Sequence, residues 1–175
     1  MFLSVKEMEK REIRFDESFQ PGQMDFSGED VEQGTPLRAA GSAELLPHRG
    51  REVRIQGRYT VEMTAECDRC LGLATFALNE SFDLFYRPMA EIAHEEEVAI
   101  DDAEAEIGFY EGGGLELEDV LRERVLLVLP MQRICSEACR GICPVCGKNR
   151  NDGPCDCKPD PEDGLRGAFR KLHIG

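Results

Sequence analysis

The sequence predicts an α+β protein: an antiparallel β-rich domain with one packed amphipathic helix and a C-terminal Cys-rich zinc knuckle. Three observations carry that expectation. Between residues 37 and 86, apolar residues recur at alternate positions, as in strands with one buried and one wet face. From Leu117 to Val128 the apolar repeat is helical instead. Eight cysteines stand at Cys67, Cys70, Cys135, Cys139, Cys143, Cys146, Cys155 and Cys157, in spacings that suit a metal ion. At 175 residues the chain can build one domain with a hydrophobic core and a small appendage.

Taken in order, residues 1–5 and 12–16 read as short extended pieces. Residues 17–35 are turn-rich and acidic and read as a loop. Leu37 to Leu46 alternates weakly. Residues 51–66 carry Val53, Ile55, Tyr59, Val61 and Met63 at period two. Leu73 to Tyr86 carries Ala74, Phe76, Leu78, Phe82, Leu84 and Tyr86 in the same way. The turn between them holds Cys67 and Cys70, which places two thiols at a hairpin tip. Residues 87–106 are dense in Asp and Glu and read as a solvated acidic loop. No calcium-loop pattern is present there, and His48, His94 and His173 have no ligand-like setting. Ile107 to Tyr110 is a short strand, followed by a Gly112–Gly114 turn. A helix over about 116–129 follows, with Glu116, Glu118 and Asp119 in its first turn and Pro130 at its stop. Leu165, Phe169 and Leu172 suggest a short C-terminal helix. The expected division is a β-rich body over 1–130 and a Cys-rich, zinc-binding segment over 131–175.

The net charge is −14, which excludes a uniformly basic nucleic-acid binder. The acid is unevenly spread. Residues 120–175 hold ten Lys/Arg against seven Asp/Glu, and residues 1–119 hold eleven against twenty-eight. The C-terminal third is thus slightly basic and the remainder strongly acidic. The longest apolar run, Val125 to Leu129, is far short of the roughly 18–20 residues of a membrane span. The N-terminus lacks the apolar core of a signal peptide, so the expectation is a cytoplasmic protein without a membrane partner. No Ser-His-Asp grouping, phosphate loop or dinucleotide fingerprint occurs, and nothing points to an enzyme.

Cytosolic thiols are kept reduced, which argues against disulfides. The C-x-x-C pairs Cys67/Cys70 and Cys143/Cys146 can each place two sulfurs on one edge of a tetrahedron, with Zn–S near about 2.3 Å. In CPVCG, Gly147 supplies the left-handed residue such a turn favours. Leu71 stands at the matching place after Cys70, so a tighter or different turn is expected there. Cys143, Cys146, Cys155 and Cys157 lie close together in a segment too polar to fold without an ion. Cys67, Cys70, Cys135 and Cys139 would then form a second set. The competing partition gives Cys135, Cys139, Cys143 and Cys146 to one ion. Two structural zinc ions per chain are expected, with one as the alternative. Cys139-x3-Cys143-x2-Cys146 has the spacing of a radical-SAM cluster triad, but only 29 residues follow it, too few for the barrel such enzymes need. A strand-like stretch after Cys70 argues against a redox dithiol opening a helix.

One ordered string of motifs is specific. It runs C-D-R-C-L after a strand, then an acidic stretch, then L-x-L-x-D-x-L-x-E-x-x-L-L-x-L-P. It continues with C-S-E-A-C-R-G-I-C-P-V-C-G-K-N-R-N, C-D-C and D-P-x-x-x-L. Over most of residues 36–175 this resembles the bacterial YceD family, the large ribosomal RNA subunit accumulation proteins. The resemblance implies a cytosolic, non-enzymatic role in accumulation of large-subunit rRNA. It also implies pairing of Cys67 and Cys70 with Cys135 and Cys139, because family members without the second knuckle keep those positions.

The functional expectation is a ribosome assembly factor that binds large-subunit pre-rRNA or ribosomal proteins. Arg133, Arg140, Lys148, Arg150 and Lys158 are its candidate RNA contacts, since many flank the knuckle. Arg166, Arg170 and Lys171 extend the same basic stretch. The alternative is a thiol/zinc redox-sensing regulatory protein.

Overall fold

The computed structural model describes residues 1–46, 51–89 and 107–157. The expectations for 90–106, for the tail helix, for Lys158, Arg166, Arg170 and Lys171 and for the three histidines lie outside the described residues. The fold is α+β. In chain order the elements are β1 (Phe2–Ser4), α1 (Val5–Met8), β2 (Ile13–Phe19), β3 (Val31–Gln33) and β4 (Leu37–Leu45). They continue with β5 (Val53–Glu66), β6 (Leu73–Pro88), β7 (Ile107–Tyr110), β8 (Gly114–Glu116) and α2 (Leu117–Val128).

The chain forms two compact units. The first is Met1–Thr64 with Thr75–Pro130, and the second is Ala65–Ala74 with Met131–Gly175. The hairpin tip between β5 and β6 thus clusters with the Cys-rich segment, whereas the sequence reading keeps it in a 1–130 body.

In the first unit the main sheet runs β2-β4-β5-β6-β7, with β3 paired to β5 off that path. β2 lies antiparallel to β4 along its whole length, from Ile13↔Ala43 to Phe19↔Leu37. β4 lies antiparallel to β5 from Arg38↔Thr60 to Leu45↔Val53. β6 and β7 are parallel, with Phe85 opposite Ile107. That pairing makes the sheet mixed at one edge. It is possible because the intervening residues are numerous enough for a crossover, whereas the short 67–72 connection admits only an antiparallel hairpin.

The period-two pattern works as expected on β5. Val53, Ile55, Tyr59, Val61, Met63 and Ala65 are buried, and Arg58, Thr60 and Glu66 face solvent. Arg54 on the other face forms two hydrogen bonds to Asp83 of β6, at 2.8 and 2.7 Å. On α2 the buried residues are Leu117, Val120, Leu121 and Val125, a helical stripe. Truncating Leu121, fully buried, to Ala costs about 2–5 kcal/mol by the usual scale for core deletions. Leu129, before Pro130, leaves the helix with ψ 137, as the ring of a following proline requires.

Three local differences from the sequence reading have physical causes. The 17–35 loop is shorter than expected, because β2 continues to Phe19 and β3 forms within it. β2 looked polar because Asp16 and Glu17 occupy its wet side or edge while Ile13, Phe15 and Phe19 are buried. β3 exists through its partner β5, and just beyond it the Gly34 and Thr35 N–H groups both donate to the Glu62 carbonyl, at 2.8 and 3.3 Å. The N-terminus is neither purely extended nor isolated. α1 interrupts it, and β1 pairs with β8, Leu3 opposite Leu115. Glu116, at the start of α2, makes no side-chain cap. The Leu117 N–H is instead satisfied by the Met1 carbonyl at 2.9 Å.

Candidate metal centres

Both C-x-x-C pairs sit in the same turn, and both belong to the second unit. At the hairpin tip the Cys67 N–H donates to the Gly72 carbonyl at 2.7 Å, and the Leu71 N–H donates to the Cys67 carbonyl at 2.9 Å. In the C-terminal segment the Cys143 N–H donates to the Lys148 carbonyl at 2.9 Å, and the Gly147 N–H to the Cys143 carbonyl at 2.8 Å. Gly147 has φ +72 and Leu71 has φ +59. The expectation that Leu71 forces a different turn is therefore corrected. Leu71 adopts the left-handed conformation despite its Cβ, at a cost of roughly 1–2 kcal/mol. The turn's own hydrogen bonds hold it there.

The second half of each cluster differs. Cys135 and Cys139 lie after Pro130, and the fold brings them to the first turn. Cys67 Sγ is 3.9 Å from Cys139 Sγ, and Cys70 Sγ is 3.7 Å from Cys135 Sγ. Asp68 ties the two segments: its N–H donates to the Arg133 carbonyl at 2.8 Å, and its carboxylate accepts from the Arg133 N–H at 2.7 Å. Cys155 and Cys157 return to the second turn from a few residues downstream. In each foursome one sulfur per cysteine lies within 4.8 Å of all the others. The eight thiols thus divide as 67/70/135/139 and 143/146/155/157, not as 135/139/143/146.

The donor sets fit a tetrahedral thiophilic ion. Zinc bound by four thiolates at about 2.3 Å has sulfur–sulfur edges of about 3.8 Å, close to the 3.9 and 3.7 Å of the two pairs. The first centre is the more enclosed: Cys67, Cys70 and Cys139 are buried and Cys135 is exposed. In the second only Cys143 is buried.

Hydrogen bonds prepare part of each set for ionisation. Burial works against the Cys67 thiolate, but the N–H groups of Arg69, Cys135 and Cys70 together prevail and draw its thiol down to about 6. The N–H groups of Cys146 and Val145 draw Cys143 down to about 6. Cys139 is lowered first by the Asn151 side chain and then by the Gly141 N–H. The neighbouring sulfurs oppose further ionisation. Cys139 and then Cys70 push Cys135 up to about 12. Cys146 and burial push Cys157 up to about 12. Cys143 raises Cys155. For Cys70 the Gly72 N–H favours the thiolate, but burial and the Cys67 sulfur outweigh it and raise the thiol. Four sulfurs at this spacing cannot all carry charge alone, and a divalent cation reverses that balance.

Around the centres, the candidate basic residues separate. Arg140, Lys148 and Arg150 are exposed, and Arg133 is half-buried with its backbone bonded to Asp68. Lys148 Nζ is turned inward on the Pro154 carbonyl at 3.3 Å. Arg69, which the sequence reading passed over, joins Arg140 and Arg150 around Gly141. The Arg69 carbonyl accepts from Ile142 N–H at 2.8 Å, and the Gly141 carbonyl accepts from Arg150 N–H at 2.9 Å. Gly141 has φ +68, and a Cβ there would stand 2.9 Å from the Arg69 carbonyl oxygen. Among the described residues none of these three guanidinium groups is ion-paired. The signal that could have found Arg69 is its place inside C-D-R-C, at the tip of a turn. Asn151 was also missed, although it follows the knuckle in the N-R-N-D-G stretch.

Comparison with known proteins gives a family. The family model described as "Large ribosomal RNA subunit accumulation protein YceD" matches residues 55–172. The chain is 24% identical over 146 residues to "Uncharacterized protein YlbN" of Bacillus subtilis, covering 83% of this chain and 78% of that one. It is 26% identical over 165 residues to "Large ribosomal RNA subunit accumulation protein YCED homolog 1, chloroplastic" of Arabidopsis thaliana, covering 82% of this chain and 50% of the plant protein. No solved structure matches. Among the described residues no helix is long and apolar enough to cross a membrane.

Proposed function

The chain belongs to the YceD family, and from that premise we propose that it is a non-enzymatic, cytoplasmic ribosome assembly factor needed for accumulation of large-subunit rRNA. It holds two structural zinc ions, one in each cysteine set, and meets pre-rRNA through the second unit. The observation that carries this reading is the span of the family match. Residues 55–172 take in both C-x-x-C turns and all eight thiols. The zinc supplies folding energy, not reaction chemistry: every position of each set is filled by protein sulfur, the arrangement of closed structural sites. Arg69, Arg140 and Arg150 supply forked donors that suit phosphate. The acidic first unit would repel RNA and confine the footprint to the second unit.

Co-sedimentation with large-subunit precursor particles at two salt concentrations tests it. Arg69→Glu with Arg150→Glu should weaken association while the protein keeps its fold and metal. Each lost phosphate contact should flatten the logarithmic salt dependence by roughly one unit. If those changes do nothing, and Glu95→Lys with Glu96→Lys abolishes association, the partner is a basic ribosomal protein and the RNA contact is wrong.

One observation favours a second reading, a redox-sensing regulator. Cys146 is exposed and Cys155 and Cys157 are half-exposed, so an oxidant can reach them. Mild peroxide would then join two thiols as a disulfide, be reduced to water and expel the metal. Zinc that stays bound under those conditions excludes this reading.

A further inference from the structure

Asn151 lies on the loop that the second cysteine set closes, between Cys146 and Cys155, yet its side chain serves the first set. Its Nδ2 donates to Cys139 Sγ at 3.4 Å. Its Oδ1 accepts from the Arg140 N–H at 2.8 Å. The Arg140 N–H requires an oxygen, so the amide can face only one way and its NH₂ meets the sulfur. Its own N–H donates to Asn149 Oδ1 at 2.9 Å, which holds the loop at that height. The strand-like contact Ile142↔Asn149 and the Arg150 N–H bond to the Gly141 carbonyl then lay this loop along the 139–143 linker. The loop has little apolar surface of its own, so its shape depends on the ion that Cys143, Cys146, Cys155 and Cys157 would hold.

We propose that the two metal centres are coupled, with Asn151 as the positioning residue through which occupancy of 143/146/155/157 strengthens metal binding at 67/70/135/139. Loading the outer set orders the loop and presents the Asn151 donor to Cys139. A donor to a ligating sulfur spreads thiolate charge and fixes ligand orientation, and loss of such an outer hydrogen bond typically costs about 10–100-fold in metal affinity. Linkage makes the coupling reciprocal: the inner ion tightens the outer one by the same factor. Loading is therefore cooperative, and loss of the exposed outer metal loosens the buried one.

The test is a double-mutant cycle on the full chain, with Zn(II) affinity measured by chelator competition and Co(II) as a spectroscopic probe. With the outer set loaded, Asn151→Ala should weaken the inner site roughly 10–100-fold. In the Cys155→Ser/Cys157→Ser background the inner site should already be weakened by a similar factor, and Asn151→Ala should add little. Asn151→Asp keeps the shape but turns an acceptor toward sulfur, and should weaken the inner site more than Ala does. It should also shift the sulfur-to-Co(II) charge-transfer band of the inner site. Amide spectra of the first unit report folding in every variant. Equal inner-site affinity with the outer set loaded or empty overturns the inference, as does an Asn151→Asp protein with wild-type affinity. The inference rests on the two-metal reading. A chain that takes up one ion defeats both, whereas two ions bound independently defeat only the coupling.

Discussion

The two cysteine sets begin with the same turn and end differently. One closes over a few residues of polar loop. The other joins partners 65 and 72 residues apart in sequence. Closing the long connection costs more chain entropy, but only by about (3/2)RT times the logarithm of the length ratio, a modest sum. The larger difference is shelter. The long-range set buries three of its four thiols, and the local set buries one. A metal site built on a hairpin tip inherits an ordered frame, while a local site must order its own frame and stays open to solvent.

The comparison can be broken at its strongest point. Cys139→Ser removes a buried ligand and should unfold residues 65–74 and 131–157 together. Structural zinc supplies an apparent ~10–16 kcal/mol to such a segment. Amide spectra should lose those resonances while the first unit keeps its dispersion. Cys143→Ser should do less: the segment around 140–157 loses order, the hairpin tip does not, and metal content by mass falls from two to one. If both substitutions produce the same collapse, the sheltered and open centres are a single site.

Acidification sharpens the contrast next. Thiolates bind the ion and protons compete, so affinity at both centres should rise with pH. Without metal Cys67 and Cys143 ionise near about 6, while Cys135 and Cys157 hold their protons to about 12. Metal uptake at pH 8 should therefore still release protons. Calorimetry in buffers of differing ionisation heat would detect it, and a buffer-independent heat would refute the assignment.

The smallest effects lie in the shared turn. Leu71→Gly relieves a left-handed leucine and should be neutral or stabilising by up to about 1 kcal/mol. Gly147→Ala introduces the same conflict and should cost about 1–2 kcal/mol. Metal-release midpoints in denaturant would show these opposite signs, and matching signs would mean that the turns are not equivalent.

Much of this could be read from residues alone. Alternation marked β5 and β6, helical spacing and Pro130 bounded α2, and Cys143 to Cys157 stood close enough to be grouped by their own spacing. These are properties of neighbouring residues, where one dihedral preference or one turn decides the outcome. For the distant thiols, spacing favoured Cys135 and Cys139 as partners of Cys67 and Cys70 but left the 135/139/143/146 partition open. The Asp68–Arg133 bonds decided it. The same holds for β3, which owes its existence to pairing with β5, and for the parallel β7 edge. Leu71 shows the limit most clearly. Local preference argued against a left-handed leucine, and the hydrogen bonds of the turn overruled it. Asn151 likewise gained its place beside Cys139 only when the loop of one centre was laid against the linker of the other. Sequence determined the cysteine turns and the strongly periodic elements; tertiary contacts chose the partners, because choosing among competing short-range options requires long-range bonds.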